Sequence, residues 1–443
     1  MIMSVMKIRF SRRLNFNKLF LNFSTNVKSV NSSESGHYIQ ICNEKYKTDQ
    51  FNNLSTSILQ KINVKLLKNE NHPLTILKSL IEDHFEKNFK NQYMAVDNLL
   101  NPVVTAKQNF DDLFIHKNHP GRAPTDTYYI NENQLLRTHT SAHQREVLSS
   151  KLSDGYLISA DVYRRDEIDV SHYPVFHQME GIKLFSKSNL TEESKIQNSV
   201  TKFNIKEEKK GGPIQTCHDL NECDLVVNNL KKSLEGLIKE LFKNEDENLQ
   251  IRWIEAFFPF TSPSWEMEVL FRGKWLELCG CGVIQQEILN KTGNGDKVGW
   301  AFGLGLERIA MVLFNIPDIR LFWSQDERFL SQFKKGQITQ FQSFSKYPSC
   351  YKDISFWLGK NKSDTNVNVH DNEIFDVVRD AAGDLAEDVK LIDEFTHPKT
   401  GRKSKCYRIN YCSLNRTFTN AEVDEIQNKV KDIMLKRFDI ELR

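Results

Sequence analysis

The last hundred residues of this 443-residue chain carry an order of strand and helix signals that few folds can accommodate. The capping box Thr419-Asn420-Ala421-Glu422 opens one helix, and turn residues at 397–401 separate two strands. The whole order is strand 352–358, helix 372–382, strand 387–395, strand 403–413, a helix from Thr419 and strand 438–442. This βαββαβ order predicts a split ferredoxin-like domain over residues 346–443.

The middle of the chain predicts an antiparallel sheet. Apolar runs at 157–163 and 173–185 flank the charged stretch 164–169, which is the pattern of a hairpin. Three more strands are predicted at 251–258, 265–271 and 274–284, the last two joined by the turn Arg272-Gly273.

Helices are predicted at two places by apolar spacing. One follows Pro73, which suits a first helical position, and the other follows Gly303-Leu304-Gly305. We interpret residues 186–250 as an insert or connector with a solvated face and without chemistry.

Residues 1–33 differ in composition from the rest of the chain. They contain six basic residues and no acidic one, whereas the net charge of the whole chain is only +2. A basic, acid-free segment with scattered apolar residues is typical of an organellar transit peptide, and the alternative is a disordered basic tail. No apolar run approaches the roughly 18 residues that cross a bilayer, so we predict no membrane span.

The eight cysteines contain no CxxC pair, so neither a disulfide framework nor a zinc site is favoured. Cys279 and Cys281 lie in an apolar strand, where we interpret them as small buried side chains.

Three arginines are candidate anion ligands, because guanidinium groups fit phosphate oxygens. Arg164 and Arg165 begin the hairpin loop, and Arg308 lies on the helix after the glycines. Surface salt bridges are the alternative interpretation. Glu180 and Glu277 are carboxylates on strands that we expect to be buried, so each needs a cation such as Mg²⁺, an arginine or a substrate ammonium.

Two short segments suggest a pocket. Phe258-Pro259-Phe260 ends a strand with two rings that could clamp an aromatic ligand, although such rings are mostly core. His139 and His143 have the spacing of two metal ligands on a helix, but with no third ligand nearby a polar lip over a pocket is favoured.

The segment 397–416 is basic, without an acidic residue, and contains Tyr407 and Tyr411. Basic side chains beside aromatic ones on a strand face hold single-stranded RNA, and a solvated hairpin is the alternative. The basic candidates are Lys399, Arg402, Lys403, Lys405, Arg408 and Arg416.

Over residues 70–443 the chain resembles the single-chain mitochondrial phenylalanyl-tRNA synthetases, a family of class II aminoacyl-tRNA ligases. The resemblance rests on the segments Asn101 to Asp111, His119-Pro120-Gly121-Arg122, His139-Thr140-Ser141-Ala142-His143-Gln144, Val162 to Asp166, Phe176 to Glu180, Phe258-Pro259-Phe260, and Gly303-Leu304-Gly305-Leu306-Glu307-Arg308.

The resemblance implies an α+β fold. A class II synthetase antiparallel sheet flanked by helices would be joined to a C-terminal ferredoxin-like βαββαβ anticodon-binding domain. The expected boundaries are a mitochondrial transit peptide at 1–33, a catalytic domain at 34–330 with a charged insert at 186–215, a linker at 331–345 and the anticodon-binding domain at 346–443. Mobility of the linker would let the last domain swing onto the tRNA.

The resemblance also implies an activity. The chain would attach phenylalanine to tRNA(Phe) in the mitochondrial matrix, forming phenylalanyl-adenylate from ATP with Mg²⁺ and releasing pyrophosphate and then AMP. A monomer is expected, although class II cores often dimerise. With no room for an editing module and a pocket of aromatic rings, we expect measurable activation of tyrosine.

Residue roles follow from the same resemblance. Arg164 would neutralise the α-phosphate, Arg308 would stack on adenine opposite Phe176, and Glu277 would be a ligand of Mg²⁺ or ATP. Ser141, Gln178 and Glu180 would hold the ammonium group, and Phe258 and Phe260 would flank the phenyl ring, with Ala301 and Phe302 closing the pocket. His172 would lie near the phosphates, and the remaining substrate contacts would be Ala142, His143, Gln144, Ser171, Tyr173 and Met179.

Two alternatives remain. One is a catalytically inactive paralogue that binds RNA, against which Arg164, Glu180, Glu277 and Arg308 argue, because such a protein has no need of buried charges. The other is a ligase for a different amino acid, which Phe258-Pro259-Phe260 would distinguish.

Overall fold

A large sheet forms the frame of the first four-fifths of the chain. The computed structural model describes residues 37–195, 204–208, 210–243, 249–343, 347–359, 368–414 and 416–443. The predicted transit peptide lies outside the described residues.

The strands in chain order are β1 Tyr38–Ile41, β2 Glu44–Lys47, β3 Met94–Val96, β4 Val103–Thr105, β5 Tyr129–Asn131, β6 Gln134–Leu136, β7 Gly155–Tyr163, β8 Val175–Ser186, β9 Asn204–Glu208, β10 Gln250–Glu255, β11 Thr261–Phe271, β12 Lys274–Ile284, β13 Lys297–Gly305, β14 Cys350–Leu358, β15 Ala386–Thr396, β16 Lys403–Tyr411 and β17 Ile440–Leu442.

The α-helices are α1 Thr56–Ile62, α2 Pro73–Asn88, α3 Ala106–Asn109, α4 Gln144–Ser150, α5 Leu190–Glu193, α6 Leu220–Leu241, α7 Gln286–Lys291, α8 Leu306–Leu313, α9 Glu327–Leu330, α10 Asp371–Ala382 and α11 Asn420–Arg437. None of the described helices is both long and apolar enough to cross a membrane.

The large sheet has eight strands in the order β3-β7-β8-β13-β12-β11-β10-β9. Its neighbours are antiparallel except at the two edges, where β3 runs parallel to β7 and β9 parallel to β10. The predicted hairpins are confirmed: β7 pairs with β8, and β11 with β12 across Arg272-Gly273, whose positive φ angles close the turn. Strand β8 therefore lies inside the sheet, hydrogen-bonded on both sides.

The interpretation of residues 186–250 as an insert or connector is wrong for α6, although this helix does keep a solvated face. Asp219 caps this helix by accepting from the amide of Glu222 at 2.7 Å, and Leu230, Leu234 and Leu237 are completely buried in the main core. Strand β9 from the same region extends the large sheet. The helix packs against α2 and against β12 and β13, so this segment is part of the core built on the large sheet.

The C-terminal strands form a separate four-stranded sheet in the order β15-β16-β14-β17. Helices α10 and α11 pack against it, and the capping box of Thr419 and Glu422 is present at the start of α11. The predicted βαββαβ order is confirmed. The cysteines are free thiols, and Cys279 and Cys281 are buried as predicted.

Candidate active site

A cavity of about 740 Å³ opens on the face of the large sheet that α2 and α6 leave uncovered. Alternate residues of β8 point into it, because side chains two apart on a strand share a face. The predicted residues that line the cavity are Ser141, Arg164, Ser171, His172, Tyr173, Phe176, Gln178, Glu180, Phe258, Phe260, Glu277, Ala301, Phe302 and Arg308.

Glycines on the neighbouring strands leave the space that the cavity occupies. Glu180 of β8 lies opposite Gly303 of β13, which in turn lies opposite Gly280 of β12. A Cβ atom at Gly303 or Gly305 would meet nothing within 4 Å, and one at Gly280 would collide with the ring of Phe258. The pair Gly303 and Gly305 thus keeps the floor open beside Glu180, in addition to leading into α8.

Glu180 is a buried carboxylate at the inner end of the cavity. The hydroxyl of Thr140 donates to one oxygen at 3.2 Å, and the amide of Gln144 donates to the other at 3.4 Å. Burial raises the pKa of Glu180 to about 7, although the hydroxyls of Ser141 and Thr140 pull it down. The carboxylate has neutral partners here and gains from a cation that enters the cavity.

The apolar end of the cavity is built from Phe258, Phe260 and Ala301. The two phenyl rings lie 6.0 Å apart and nearly parallel, at 29°. Ala301 shares the cavity face with Gly303, two residues away on β13. Phe302 borders the cavity as well, but its ring lies on the opposite face of the sheet, stacked on Trp300 and on Phe85 of α2, so the ring itself does not close the pocket as expected.

Arg164 and Arg308 supply positive charge to the open side of the cavity. The Nε of Arg164 donates to the carbonyl of Thr138 at 2.8 Å, and its guanidinium lies 5.2 Å from the centre of the Phe176 ring. Burial lowers the pKa of Arg164, which leaves it a cation at neutral pH. Arg308 donates to a carboxylate oxygen of Glu277 at 3.1 Å.

The expectation that Glu277 is buried is wrong, and a bulge explains why. The pairing of β11 with β12 slips at Leu278: Met267 lies opposite Cys279, but Glu268 lies opposite Glu277. The extra residue turns Glu277 onto the face that carries the cavity, where about half of its side chain is exposed. Without the bulge, Glu277 would share the core face with Cys279.

His139 was predicted as part of a polar lip over a pocket, whereas Glu307 was not a sequence candidate. His139 borders the cavity, and burial followed by the charge of Arg164 lowers its pKa to about 3, so its imidazole is neutral. Glu307 accepts from the backbone N–H of His177 at 2.8 Å and lies 2.7 Å from its Nδ1. This buried contact fixes the start of α8 against β8, and so fixes Arg308. An acidic residue in the first turn of α8 was the available signal.

Four predicted substrate contacts lie behind the cavity wall. Met179 is completely buried in the core and Ala142 packs in a smaller cluster, so neither side chain reaches the cavity as the prediction requires. His143 lies between Arg137 and Glu146, at 3.1 Å from each. Gln144 reaches the cavity only through its bond to Glu180.

Arg165 pairs with a carboxylate of the C-terminal domain, in place of the ligand anion that the sequence interpretation expected. Its Nε donates to Asp376 of α10 at 2.5 Å, and both side chains are buried. Backbone carbonyls of the same loop accept hydrogen bonds from the C-terminal domain. Asn372 donates to the carbonyl of Arg165, and Arg379 donates to the carbonyls of Asp166 and Glu167. The backbone amide of Val389 donates to the carbonyl of Ile168. The C-terminal domain therefore holds four successive residues of the β7–β8 loop.

The predicted RNA-binding patch is only partly on the surface. Lys405 is buried and bonded to Asp371, Arg402 is buried and paired with Glu441, and the rings of Tyr407 and Tyr411 are in the core. The basic residues thus do not share one strand face with exposed tyrosines. Lys399, Lys403 and Arg416 are exposed, and Arg408 is partly exposed and paired with Asp353.

A different aromatic group lies at the end of the C-terminal sheet. Trp357, Phe395 and His397 approach one another edge to face, with ring centres 6.1 to 6.3 Å apart. The guanidinium groups of Arg402 and Arg443 each lie 5.4 Å from the Trp357 ring. We call these residues the Trp357 cluster. They combine aromatic faces with positive charge, which suits unpaired bases.

Few described groups could hold a metal ion. Glu167, Asp169 and His172 have ligand atoms within 4.8 Å of one another. Around the cavity, Glu266 and Glu268 share a face with Glu277, and burial together with these two neighbours raises the pKa of Glu266. Crowded carboxylates of this kind are the oxygen ligands that Mg²⁺ prefers.

The buried position of Glu180 predicts a pH-dependent effect on stability. Its folded pKa of about 7 lies above the unfolded value of 4.5, so the native state binds the proton more tightly, and stability falls as pH rises between these values. The variant Glu180→Gln is uncharged at every pH, so it avoids the cost of burying a carboxylate. Its free energy of unfolding should exceed that of the wild type by about 2 to 3 kcal/mol at pH 8.5 and by little at pH 4. Urea unfolding at both pH values measures this.

Glu70→Gln is the control, because Glu70 is an exposed carboxylate on the surface. It should show no such difference between the two pH values. If Glu180→Gln changes the free energy of unfolding by the same amount at both pH values, the carboxylate is not a buried group that resists ionisation.

Two protein-family models match the two parts of this fold. Residues 60–208 and 220–333 match the family model of the class II core domain (F) of tRNA synthetases, and residues 345–443 match that of the ferredoxin-fold anticodon-binding domain.

Curated relatives match the chain over most of their own length. The chain is 46% identical to the mitochondrial phenylalanine–tRNA ligase of Saccharomyces cerevisiae, covering 92% of this chain and 95% of that one. It is 44% identical to the mitochondrial enzyme of Mus musculus, over 92% and 89% of the two chains. It is 46% identical to the chloroplastic/mitochondrial enzyme of Arabidopsis thaliana, over 89% and 83%. The chain therefore belongs to the class II tRNA synthetase family, in the form that carries a C-terminal ferredoxin-fold anticodon-binding domain.

Proposed function

We propose that this protein attaches phenylalanine to tRNA(Phe) in the mitochondrial matrix, as a monomer. The observation that carries the proposal is the composition of one cavity, with a buried carboxylate at one end, two phenyl rings at another and two guanidinium groups at its open side. An α-amino acid with an aromatic side chain has the complementary groups. The names of the relatives in three organisms support phenylalanine as the substrate and mitochondria as the organelle.

Phenylalanine would lie with its ammonium group at Glu180. The ionised carboxylate gains the counter-charge that its buried position lacks, with Ser141 and Gln178 completing the polar end. The phenyl ring would lie against Phe258, Phe260 and Ala301, where aromatic contacts and the burial of apolar area favour it. The protein would thus contact both the ammonium group and the side chain of the amino acid.

ATP would occupy the open side of the cavity. Arg164 would neutralise the α-phosphate, with Ser171, His172 and Tyr173 on the same side. Arg308 would exchange its contact with Glu277 for the adenine ring, which would lie between Arg308 and Phe176. Both arginines are positioned by the fold: Arg164 by Thr138 and Arg308 by the contact between Glu307 and His177.

Magnesium fits the carboxylates on this face. Glu277, with Glu266 and Glu268 beside it, offers the hard oxygen ligands that the ion prefers. The bound ion would offset phosphate charge, while the chain's own residues hold and orient the nucleotide.

The reaction needs no protein nucleophile. The carboxylate of phenylalanine is ionised at neutral pH and attacks the α-phosphorus of ATP. The bond to the bridging oxygen breaks, and pyrophosphate leaves with its electron pair. A ribose hydroxyl at the 3′ end of the tRNA then attacks the carbonyl of the adenylate, losing its proton as AMP leaves. Catalysis consists of positioning and of stabilising charge at phosphorus.

The C-terminal domain would read the anticodon loop. The Trp357 cluster supplies stacking surfaces, and Lys399, Lys403, Arg408 and Arg416 would contact the backbone. Because this domain also holds the β7–β8 loop through Asp376 and Arg379, movement about residues 331–345 would have to break those contacts. The swing onto tRNA and the arrangement of the loop near ATP would therefore be linked.

Exchange of pyrophosphate into ATP tests the first step. We expect phenylalanine-dependent exchange, with a weaker but measurable response to tyrosine. Arg308→Ala should reduce it by a factor of about 100, since it removes an interaction with bound ATP. Phe258→Ala should change the preference among amino acids.

Arg328→Ala is the matched control. Arg328 and Arg308 are equally exposed, with 47% of each side chain accessible, and each is paired with one carboxylate. It should leave exchange at the wild-type rate. Absence of exchange with every amino acid would favour the RNA-binding paralogue.

The Trp357 cluster is tested by transfer to tRNA. Trp357→Ala should raise KM for tRNA(Phe) about tenfold, because a stacked base is worth about 1 to 3 kcal/mol. Tyr38→Ala, which removes an exposed ring from the β1–β2 hairpin, is the control. An equal KM in wild type and Trp357→Ala would show that anticodon bases lie elsewhere.

A further inference from the structure

Phe257 has the largest exposed fraction among the exposed large apolar side chains of the described residues, at 85%. It immediately precedes Phe258-Pro259-Phe260, yet it does not join the two rings inside the cavity. Single exposed apolar side chains are common on protein surfaces, so exposure alone assigns nothing to it. Its place in the fold is what distinguishes it.

Phe257 lies at the mouth of the substrate cavity, in the turn between β10 and β11. The backbone around it is fixed on both sides. The backbone amide of Ala256 donates to the carbonyl of Ser264 at 3.1 Å. The amide of Thr261 donates to the carbonyl of Phe258 at 3.2 Å, and the amide of Gln285 donates to the carbonyl of Phe260 at 3.0 Å. The ring is therefore carried on a rigid turn and projects from the rim instead of packing below it.

The face of this ring is available to a ligand. Throughout the described part of the chain, no aromatic side chain or cation stacks on it. By contrast, the nearby Phe176 is engaged by Arg164. A flat and solvated aromatic surface is the element by which proteins hold unpaired bases without hydrogen bonds to their edges.

The second step of the reaction brings an unpaired base to this position. A ribose hydroxyl of the terminal nucleoside must reach the adenylate inside the cavity, so the attached base remains at the rim. We propose that Phe257 is the stacking platform for the terminal adenine of the tRNA. The inference rests on the proposed function, because it requires transfer to tRNA, and it assigns a binding role to a residue outside the amino-acid and ATP sites.

Three variants separate an aromatic role from an apolar one. Phe257→Leu keeps an apolar side chain and removes the ring, whereas Phe257→Tyr and Phe257→Trp keep an aromatic face. In single-turnover transfer of phenylalanine to tRNA(Phe), Phe257→Leu should lose about tenfold in kcat/KM for tRNA beyond any loss in pyrophosphate exchange. The Tyr and Trp variants should stay within about twofold of wild type. Leu220→Ala, which removes another exposed apolar side chain at the start of α6, is the matched control and should transfer normally.

A tRNA with an abasic 3′-terminal nucleotide identifies the partner of the ring. This tRNA should be a poor substrate for the wild type, and Phe257→Leu should reduce its transfer no further, because residues that interact give non-additive effects. Equal transfer by wild type and Phe257→Leu, or a full additional loss with abasic tRNA, would overturn the assignment. A wild-type protein that supports exchange but charges no tRNA would instead contradict the proposed function.

Discussion

The rest of the site depends on one buried carboxylate at the centre of the large sheet. Glu180 lies on an interior strand with hydrogen-bonded neighbours on both sides, so it cannot turn away to water, and burial opposes its ionisation. The fold tolerates it because the paired positions on the next two strands to one side, Gly303 of β13 and Gly280 of β12, are glycines, which leaves an open cavity above it. A ligand cation completes what the protein alone leaves unsatisfied. The strand register thus determines both the place of the cavity and the charge that it selects.

Local signals were sufficient for much of the fold. The turn Arg272-Gly273 set the start of β12, and the capping box at Thr419 set the start of α11. Alternation on β8 placed Phe176, Gln178 and Glu180 on one face, because a strand has a period of two. These features depend on residues close together in the sequence.

The residues whose predicted roles were wrong have contact partners that are far away in the sequence. Arg165 pairs with Asp376, more than two hundred residues away, so its own segment contained no sign of that role. The bulge at Leu278 is visible only when β12 is aligned with β11, and it reverses the expected burial of Glu277. The leucines of α6 are buried by α2 and the large sheet, which are distant in the sequence, so the composition of 186–250 alone did not show that the helix belongs to the core.

Recognition of the amino acid depends on the ionisation of Glu180, because its ammonium group pairs with the charged carboxylate. Calorimetric titration of the free protein with phenylalanine between pH 5.5 and pH 8.5 tests this most directly. Affinity should rise as pH increases through about 7, where the buried carboxyl loses its proton, and Glu180→Gln should bind weakly at every pH. Binding that is independent of pH, with Glu180→Gln as tight as wild type, would contradict the account.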